Sequence, residues 1–271
     1  MHPMLNIAVK AARQAGKLLL RYAQQVDQLT IESKGRNDFV SEADREAERT
    51  IVSIIRQAYP DHAVLAEETG AHAGNEYEWI IDPLDGTTNF LHGYPQFAVS
   101  IAVQRQQRLQ QAVVFDPLRD ELFTASRGAG AQLNDRRIRV SRAPSLAHAL
   151  LGTGFPFKSM EHLDAWVQMF RILLPETHGV RRAGSAALDL AHVACGRLDG
   201  FWEMGLKPWD IAAGALLVEE AGGLVTDFAG QQEFLRDGHV IAGNTRIQAE
   251  LVRLIGPLLP VDGHLAPALS P

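Results

Sequence analysis

The sequence has a single cysteine, Cys195, among 271 residues, so no disulfide can form within the chain. That fits a reducing compartment, and a cytoplasmic location is the expectation. No apolar run approaches the roughly 18 residues of a membrane span, so no membrane partner is expected. Basic charge is not in excess either. Lys and Arg number 26 against 32 Asp and Glu, a net charge of −6, which argues against nucleic-acid binding by bulk charge. The ten histidines show no HExxH or other zinc spacing. Gly-x-Gly pairs near 128–130 and 152–154 fit neither a Rossmann nor a P-loop pattern. Internal repeats and low-complexity linkers are absent.

What the chain does have is apolar residues, at 46%, enough for a sizeable core in one large domain or two packed halves. Residues 1–26 carry Lys10, Arg13, Lys17 and Arg21 and no acid before Asp27, the composition of an organelle transit peptide. However, Met4, Ile7, Ala8, Ala11, Ala15, Leu18 and Leu19 recur at helical spacing, and the apolar h-region of a secretory signal is missing. The first helix is therefore read as part of the fold. A second helix is expected over 41–59, with Ser41 and Asp44 as a capping-box variant and Pro60 beyond its end.

Strand-like runs follow at 63–66, 77–81, 97–103, 111–115 and 121–125, close together and joined by short turns. They predict an α+β N-terminal half, 1–144, with an antiparallel sheet. From about 145 the pattern changes. Short strands at 149–152, 200–202, 224–226 and 240–242 alternate with helices near 160–174, 185–196, 209–221 and 245–256, giving an α/β C-terminal half, 145–260. Residues 261–271, rich in Pro, Gly and Ala, are expected to be a frayed tail. Residues 127–142 hold five arginines. A phosphate or RNA patch is the sharper reading. The alternation Arg137-Ile138-Arg139-Val140 and the lack of interleaved aromatics favour the wet face of a strand.

One stretch is chemically pointed: residues 79–90, WIIDPLDGTTNF. A buried strand ends by placing Asp82 and Asp85 three residues apart. Pro83 fixes φ and helps turn the chain out of the sheet. That turn can aim both carboxylates and the Leu84 carbonyl at one point. Gly86 permits close backbone approach, and Thr87-Thr88-Asn89 offers hydroxyls and amide N–H groups suited to a phosphate. Every candidate ligand is oxygen, which selects a hard cation such as Mg²⁺ over zinc. Two further acids could complete the site: Glu67 in AEET (66–69), after an apolar strand, and Asp210 in PWDIAAGALLVEEAGG (208–223), opening an apolar helix. Alone, Glu67 reads as a surface charge and Asp210 as a helix cap; together with the turn they favour a metal site.

WIIDPLDGTTNF and PWDIAAGALLVEEAGG resemble the two signatures of the inositol monophosphatases, and most closely their bacterial SuhB-type branch. The likeness continues through FVSEAD (39–44), LAEE (65–68), LLGTGFPF (150–157), RRAGSAALDLAHVACGRLDGFWEMG (181–205) and IAGN (241–244). It implies a layered αβαβα sandwich. It also implies Mg²⁺ ligands at Glu67, Asp82, the Leu84 carbonyl, Asp85 and Asp210, for two to three ions, with Asp82 bridging two and Glu67 helping to hold a third. Thr87, paired with Asp44, would orient and deprotonate the attacking water, and Glu67 belongs with them as a catalytic residue. The amides of Gly86 and Thr87 would hold the phosphate. The hydroxylated part of the substrate would meet Asp85, Gly184, Ser185, Ala186, Glu203 and Asp210, with Arg181 nearby.

The implied activity is lithium-sensitive hydrolysis of inositol 1-phosphate or a similar polyol phosphate, and the implied assembly is a homodimer. Two rivals stand beside it. One is another lithium-sensitive phosphatase, acting on fructose 1,6-bisphosphate, a nucleotide 3′-phosphate or NADP. The other is the transcription antitermination role associated with the SuhB-type branch, through NusA and RNA polymerase. Three departures from the family pattern are minor: Ser41 for Thr, Leu84 for Ile, and a short 70–76 segment.

Overall fold

The computed structural model describes residues 2–26, 29, 31–35, 38–156 and 160–259, so the tail expected at 261–271 lies outside the described residues. In chain order, α1 (Pro3–Ala23) precedes a hairpin of β1 (Ile31–Gly35) and β2 (Asp38–Ser41), then α2 (Glu42–Ala58). Next come β3 (Ala63–Ala66), β4 (Gly70–His72), β5 (Tyr77–Asp85), α3 (Thr87–Leu91), β6 (Ala98–Arg105), β7 (Arg108–Asp116), β8 (Glu121–Ser126), β9 (Gly130–Leu133) and β10 (Arg136–Arg137). The rest runs β11 (Leu150–Thr153), α4 (Leu163–Leu173), β12 (Gly179–Arg181), α5 (Ala186–Ala194), β13 (Gly200–Glu203), α6 (Pro208–Glu220), β14 (Leu224–Thr226), α7 (Phe234–Asp237), β15 (Val240–Gly243) and α8 (Thr245–Ile255).

These elements stack in five layers, αβαβα. An eight-stranded sheet, β10-β9-β8-β7-β6-β5-β3-β4, and a five-stranded sheet, β12-β11-β13-β15-β14, form the two β layers. Their faces follow the two-residue strand period. In β6, Val99, Ile101 and Val103 pack with α1 and α2 on one side, while Ala98 and Ala102 pack with α5 and α6 on the other. The far face of the small sheet, through Leu151, Trp202 and Ile241, meets α4 and α8. Because α6 lies between two sheets, every residue from Ile211 to Val218 is buried; a helix covered on all sides has no need of a polar stripe. Helices α5 and α6 touch closely at Gly214, where a Cβ would come within 2.5 Å of the Leu190 Cβ.

Two expectations need correction. The large sheet is mixed, not antiparallel: β3 runs parallel to β5, pairing Ala66 with Ile81. The return is made through β4, an antiparallel edge strand beside β3. Of the arginine-rich alternation at 137–140, only Arg137 lies in a strand. Strand β10 stops at Arg137, because the Val140 amide donates to the Ala221 carbonyl at the end of α6 (3.2 Å) and leaves the ladder. The expected capping box is present: the Asp44 Oδ2 accepts from the Ser41 amide at 2.8 Å.

The α5–α6 contact yields a prediction. Gly214→Leu should cost about 1–3 kcal/mol by overpacking, and Leu190→Ala about 2–5 kcal/mol by cavity formation. The double variant should cost clearly less than their sum, because the new side chain refills the space. Denaturant titration of the four proteins measures this, and strict additivity would show that the two residues do not share a packing site.

Candidate metal centre

The carboxylates meet where β5 leaves the large sheet. In a regular strand, residues three apart point to opposite faces. The register moves from Asp82 opposite Ser100 to Asp85 opposite Ala98, three steps on β5 against two on β6. The extra residue is a bulge at Pro83-Leu84, and it returns Asp85 to the face of Asp82. Both acids thus look into the α5–α6 layer. Gly86 then turns the chain with φ +93°, and a Cβ there would meet the Gln96 carbonyl at 2.8 Å, so the position suits glycine alone.

The parallel β3–β5 pairing delivers Glu67. In parallel strands the C-terminal ends lie together, and the Glu67 amide donates to the Ile81 carbonyl (3.2 Å), one residue before Asp82. Helix α2 secures this loop: the buried Glu48 carboxylate accepts from the amides of Glu68 (2.8 Å) and Thr69 (2.9 Å). Asp210 arrives from the central layer as the third residue of α6, where it accepts from the Lys207 amide at 2.7 Å. It is therefore not the N-cap, and its carboxylate serves the helix start as well as the cleft.

Asp82, Asp85 and Asp210 each bring a carboxylate oxygen within 4.8 Å of the others. Glu67 lies outside this tight trio, yet after burial it is the largest influence on Asp82. Burial first, then the charges of Glu67, Asp85 and Asp210, push the Asp82 carboxyl well above the ordinary carboxylate range. The Leu84 amide, donated to Oδ1 at 2.9 Å, offsets part of this. Asp85 is better served, accepting on Oδ2 from the Ser185 hydroxyl (2.5 Å) and the Ala187 amide (2.8 Å) at the start of α5. Two buried carboxylates and a half-buried third that repel one another fit a hard divalent cation, whose charge reverses the repulsion.

Thr87 donates its single hydroxyl proton toward Leu84 O (3.0 Å) or Asp44 Oδ1 (3.1 Å). Asp44 is buried, which raises its carboxyl above the usual range, and its Oδ2 accepts from the Ser41 hydroxyl and amide (2.6 and 2.8 Å). Capping α2 and facing Thr87 are thus tasks of one carboxylate. The Asn89 side-chain amide is spent on the carbonyls of Gln96, Ala183 and Gly184 (2.7, 2.9 and 3.2 Å), tying α3 to the loop before α5.

A cavity of about 490 Å³ opens over this cluster. Glu67, Asp82, Leu84, Asp85, Gly86, Thr87, Gly184, Ser185, Ala186, Glu203 and Asp210 all line it. Arg181 does not: it is exposed at the end of the edge strand β12, and its neighbour Arg182 lines the cavity instead. Arg182 lies over the Phe155 ring at 4.8 Å. Desolvation, then Asp189, push the Glu203 carboxyl well above its usual value while Arg182 pulls it down; a side chain at Gly154 would overlap that carboxylate. Sequence reasoning also passed over Asp189, 2% exposed in α5, whose carboxyl is raised by burial and by Asp85. Its signal was there: one acid inside the apolar run Ala186–Ala194. Glu48 left the same trace on the apolar face of α2.

A layered α/β sandwich that closes on a buried, cation-seeking cluster of acids is the class this molecule defines. A model of the inositol monophosphatase family matches residues 1–257, and the chain belongs to that family. It is 57% identical over 266 residues to the Nus factor SuhB of Pseudomonas aeruginosa, covering 96% of this chain and 98% of the relative. Among solved structures it is similar to the extragenic suppressor protein suhB of Bartonella henselae (TM-score 0.92, 45% identity, 94% and 98% of the two chains). It is also similar to the inositol monophosphatase of Anabaena (TM-score 0.82, 41% identity, 96% and 98%).

The charge cluster makes stability depend on pH. A carboxyl raised in the folded state stabilises it fully below the unfolded pKa and loses that contribution as pH rises through the folded pKa. Asp189, Glu203 and Asp44 share this sign. His192, lowered to about 4 by burial, has the opposite sign, so the informative quantity is the difference from Asp82→Asn. In chelator at about pH 7–8, that variant should melt higher than wild type by about 2–4 °C for roughly 1 kcal/mol. The two curves should converge below about pH 4, as the Asp82 carboxyl becomes neutral in the unfolded state too. A variant less stable at every pH would make Asp82 a structural turn residue.

Proposed function

We propose that this protein is a Mg²⁺-dependent phosphomonoester hydrolase of inositol 1-phosphate or a similar polyol phosphate. The observation that carries the reading is the trio Asp82, Asp85 and Asp210, with oxygens within 4.8 Å, beneath a cavity of about 490 Å³. These three acids, Glu67 and the Leu84 carbonyl would hold two to three Mg²⁺ ions. Bound there, the ions supply neutralisation of the phosphate dianion and of the developing leaving-group charge.

The chain's own groups account for the rest. The amides of Gly86 and Thr87 receive the phosphoryl oxygens. A water held by the Thr87 hydroxyl loses its proton to Thr87 as Thr87 passes its own to Asp44 Oδ1, across the 3.1 Å contact. Burial favours proton uptake by Asp44. The water oxygen bonds to phosphorus as the ester P–O bond breaks, and the released alkoxide takes a proton from solvent. Gly184, Ser185, Ala186, Glu203, Asp85 and Asp210 receive the polyol; Arg182 takes the place beside it that the resemblance assigned to Arg181. The protein is read as a cytoplasmic homodimer inhibited by Li⁺.

Turnover of inositol 1-phosphate should need Mg²⁺ and vanish in chelator; full activity in chelator excludes the metal mechanism. Thr87→Ala and Asp44→Asn should lower kcat about 100-fold or more with little change in KM, since proton transfer matters in the transition state. A pure KM effect would make them binding residues.

Glu203→Ala should change the ranking among inositol 1-phosphate, fructose 1,6-bisphosphate, a nucleotide 3′-phosphate and NADP, and spare a simple aryl phosphate. Equal losses on all of them would remove Glu203 from substrate selection.

A second reading is favoured by the Pseudomonas relative's name, Nus factor SuhB. In it the chain also serves transcription antitermination, contacting NusA and RNA polymerase. Capture of NusA or RNA polymerase by the Thr87→Ala protein separates this role from catalysis.

A further inference from the structure

A second cavity, of about 520 Å³, lies where the 139–143 segment, the turn after α6 and the start of α8 meet. It shares no lining residue with the acidic cleft. Helix α6 separates them: Trp209 and Asp210 line the cleft at its first turn, and Ala221 and Gly222 line the groove just past its last. Thirteen helical residues span about 20 Å.

The groove is cationic. Arg139, Arg142 and Arg246 line it, with the hydroxyl residues Ser141 and Thr245, and no acid does. Some arginines elsewhere sit against carboxylates, as Arg13 on Asp120, Arg45 on Glu32 and Arg197 on Glu121. Among the described residues, Arg139, Arg142 and Arg246 have no carboxylate in ion-pair contact. Next to the lining residue Ala221, both acids at the end of α6 are engaged elsewhere, and Glu250 of α8 accepts the Leu146 amide at 3.3 Å. Glu219 pairs with Arg127 at 2.9 Å, and Glu220 accepts the amides of Gly128 and Gly130 at 2.7 and 2.8 Å. Three uncompensated cations around one hollow repel each other in a protein of net charge −6, and an anion relieves that repulsion.

The backbone beneath is braced. Asn244, 8% exposed, caps α8 by accepting from the amides of Arg246 and Ile247 (2.9 and 3.0 Å). Its own amide donates to the carbonyls of Ser141 and Ala143 (3.2 and 3.0 Å). One side chain thus fixes the strip carrying Arg142 to the turn carrying Arg246. On the other flank the Val140 amide holds the Ala221 carbonyl at 3.2 Å. Gly223 lets Val140 pack close against the end of α6, since a Cβ there would sit 2.8 Å from Val140 Cγ1.

We propose that this groove is a binding site for a small polyphosphate anion, either inorganic or the phosphate arm of a nucleotide. Arginine forks match phosphate oxygens in pairs, and the volume lies within the ~300–1,000 Å³ of small-molecule sites. No aromatic residue lines it, so it reads phosphates and not a base. The proposal is independent of the hydrolase reading.

The test is calorimetric titration of the full chain in chelator at low salt with tripolyphosphate, pyrophosphate, orthophosphate, ATP and a single-stranded RNA of about 20 nucleotides. Tripolyphosphate should bind more tightly than orthophosphate. Equal affinity for tripolyphosphate and ATP assigns the phosphates as the recognised part. Arg142→Gln and Arg246→Gln should each weaken tripolyphosphate binding about tenfold or more, and Arg142→Lys should restore part of the loss, with melting temperatures unchanged throughout. Binding insensitive to both arginine variants, or altered by Asp82→Asn instead, overturns the proposal. RNA binding through these arginines without tripolyphosphate binding overturns it in favour of a nucleic-acid backbone.

Discussion

Mutual repulsion among crowded carboxylates is the constraint around which this molecule is organised. Asp82, Asp85 and Asp210 are held with oxygens within 4.8 Å of one another, an arrangement that no pairing among themselves can stabilise. Rigid elements hold them there: a bulged strand end, a helix start and a parallel neighbour strand. Each element is anchored by its own core, β5 through Trp79 and Ile81 against α1 and α2, and α6 through the burial of Ile211 to Val218 between the sheets. Packing supplies the free energy that lets the acids remain together, and function is the evident reason for such strain.

The same backbone devices serve more than one demand. Asp44 caps α2 and faces Thr87. Asp85 fastens the start of α5 while pointing at the cluster. Asp210 holds the Lys207 amide at the start of α6. Substitutions at Asp44 or Asp85 therefore mix stability with chemistry, whereas Asp82, with one recorded amide partner, reports electrostatic strain more cleanly. Around them, Glu48 and Asn89 act at one remove, holding the loops that carry Glu67 and Gly184.

Helix α6 also sets two opposite environments about 20 Å apart. Its first turn faces a cleft of acids that invites cations. Its far end meets arginines that invite anions. The overall charge of −6 conceals the second environment, because a sum over the chain says nothing about where three arginines converge.

The sequence by itself determined the elements and the chemical character of the centre. Apolar runs bounded by short turns marked β5 to β8, helical spacing marked α1, the Ser41–Asp44 cap and Pro60 marked α2, and the Asp-Pro-Leu-Asp-Gly turn announced oxygen ligands, because these signals depend on neighbours in the chain. Tertiary structure alone decided the rest. Parallel pairing of β3 with β5, which puts Glu67 beside Asp82, follows from which strands become neighbours; four residues of β3 read the same in either direction. Asp189 and Glu48 look like ordinary charges until packing buries them. Arg182, not Arg181, reaches the cavity because the edge strand ends and turns between them. The arginines of 136–142 looked like a strand's wet face, yet Val140 bonds to the end of α6, and a helix 100 residues later supplies Arg246. Distance along the chain is no guide to distance in space, and sites assembled across layers become legible only once the layers close.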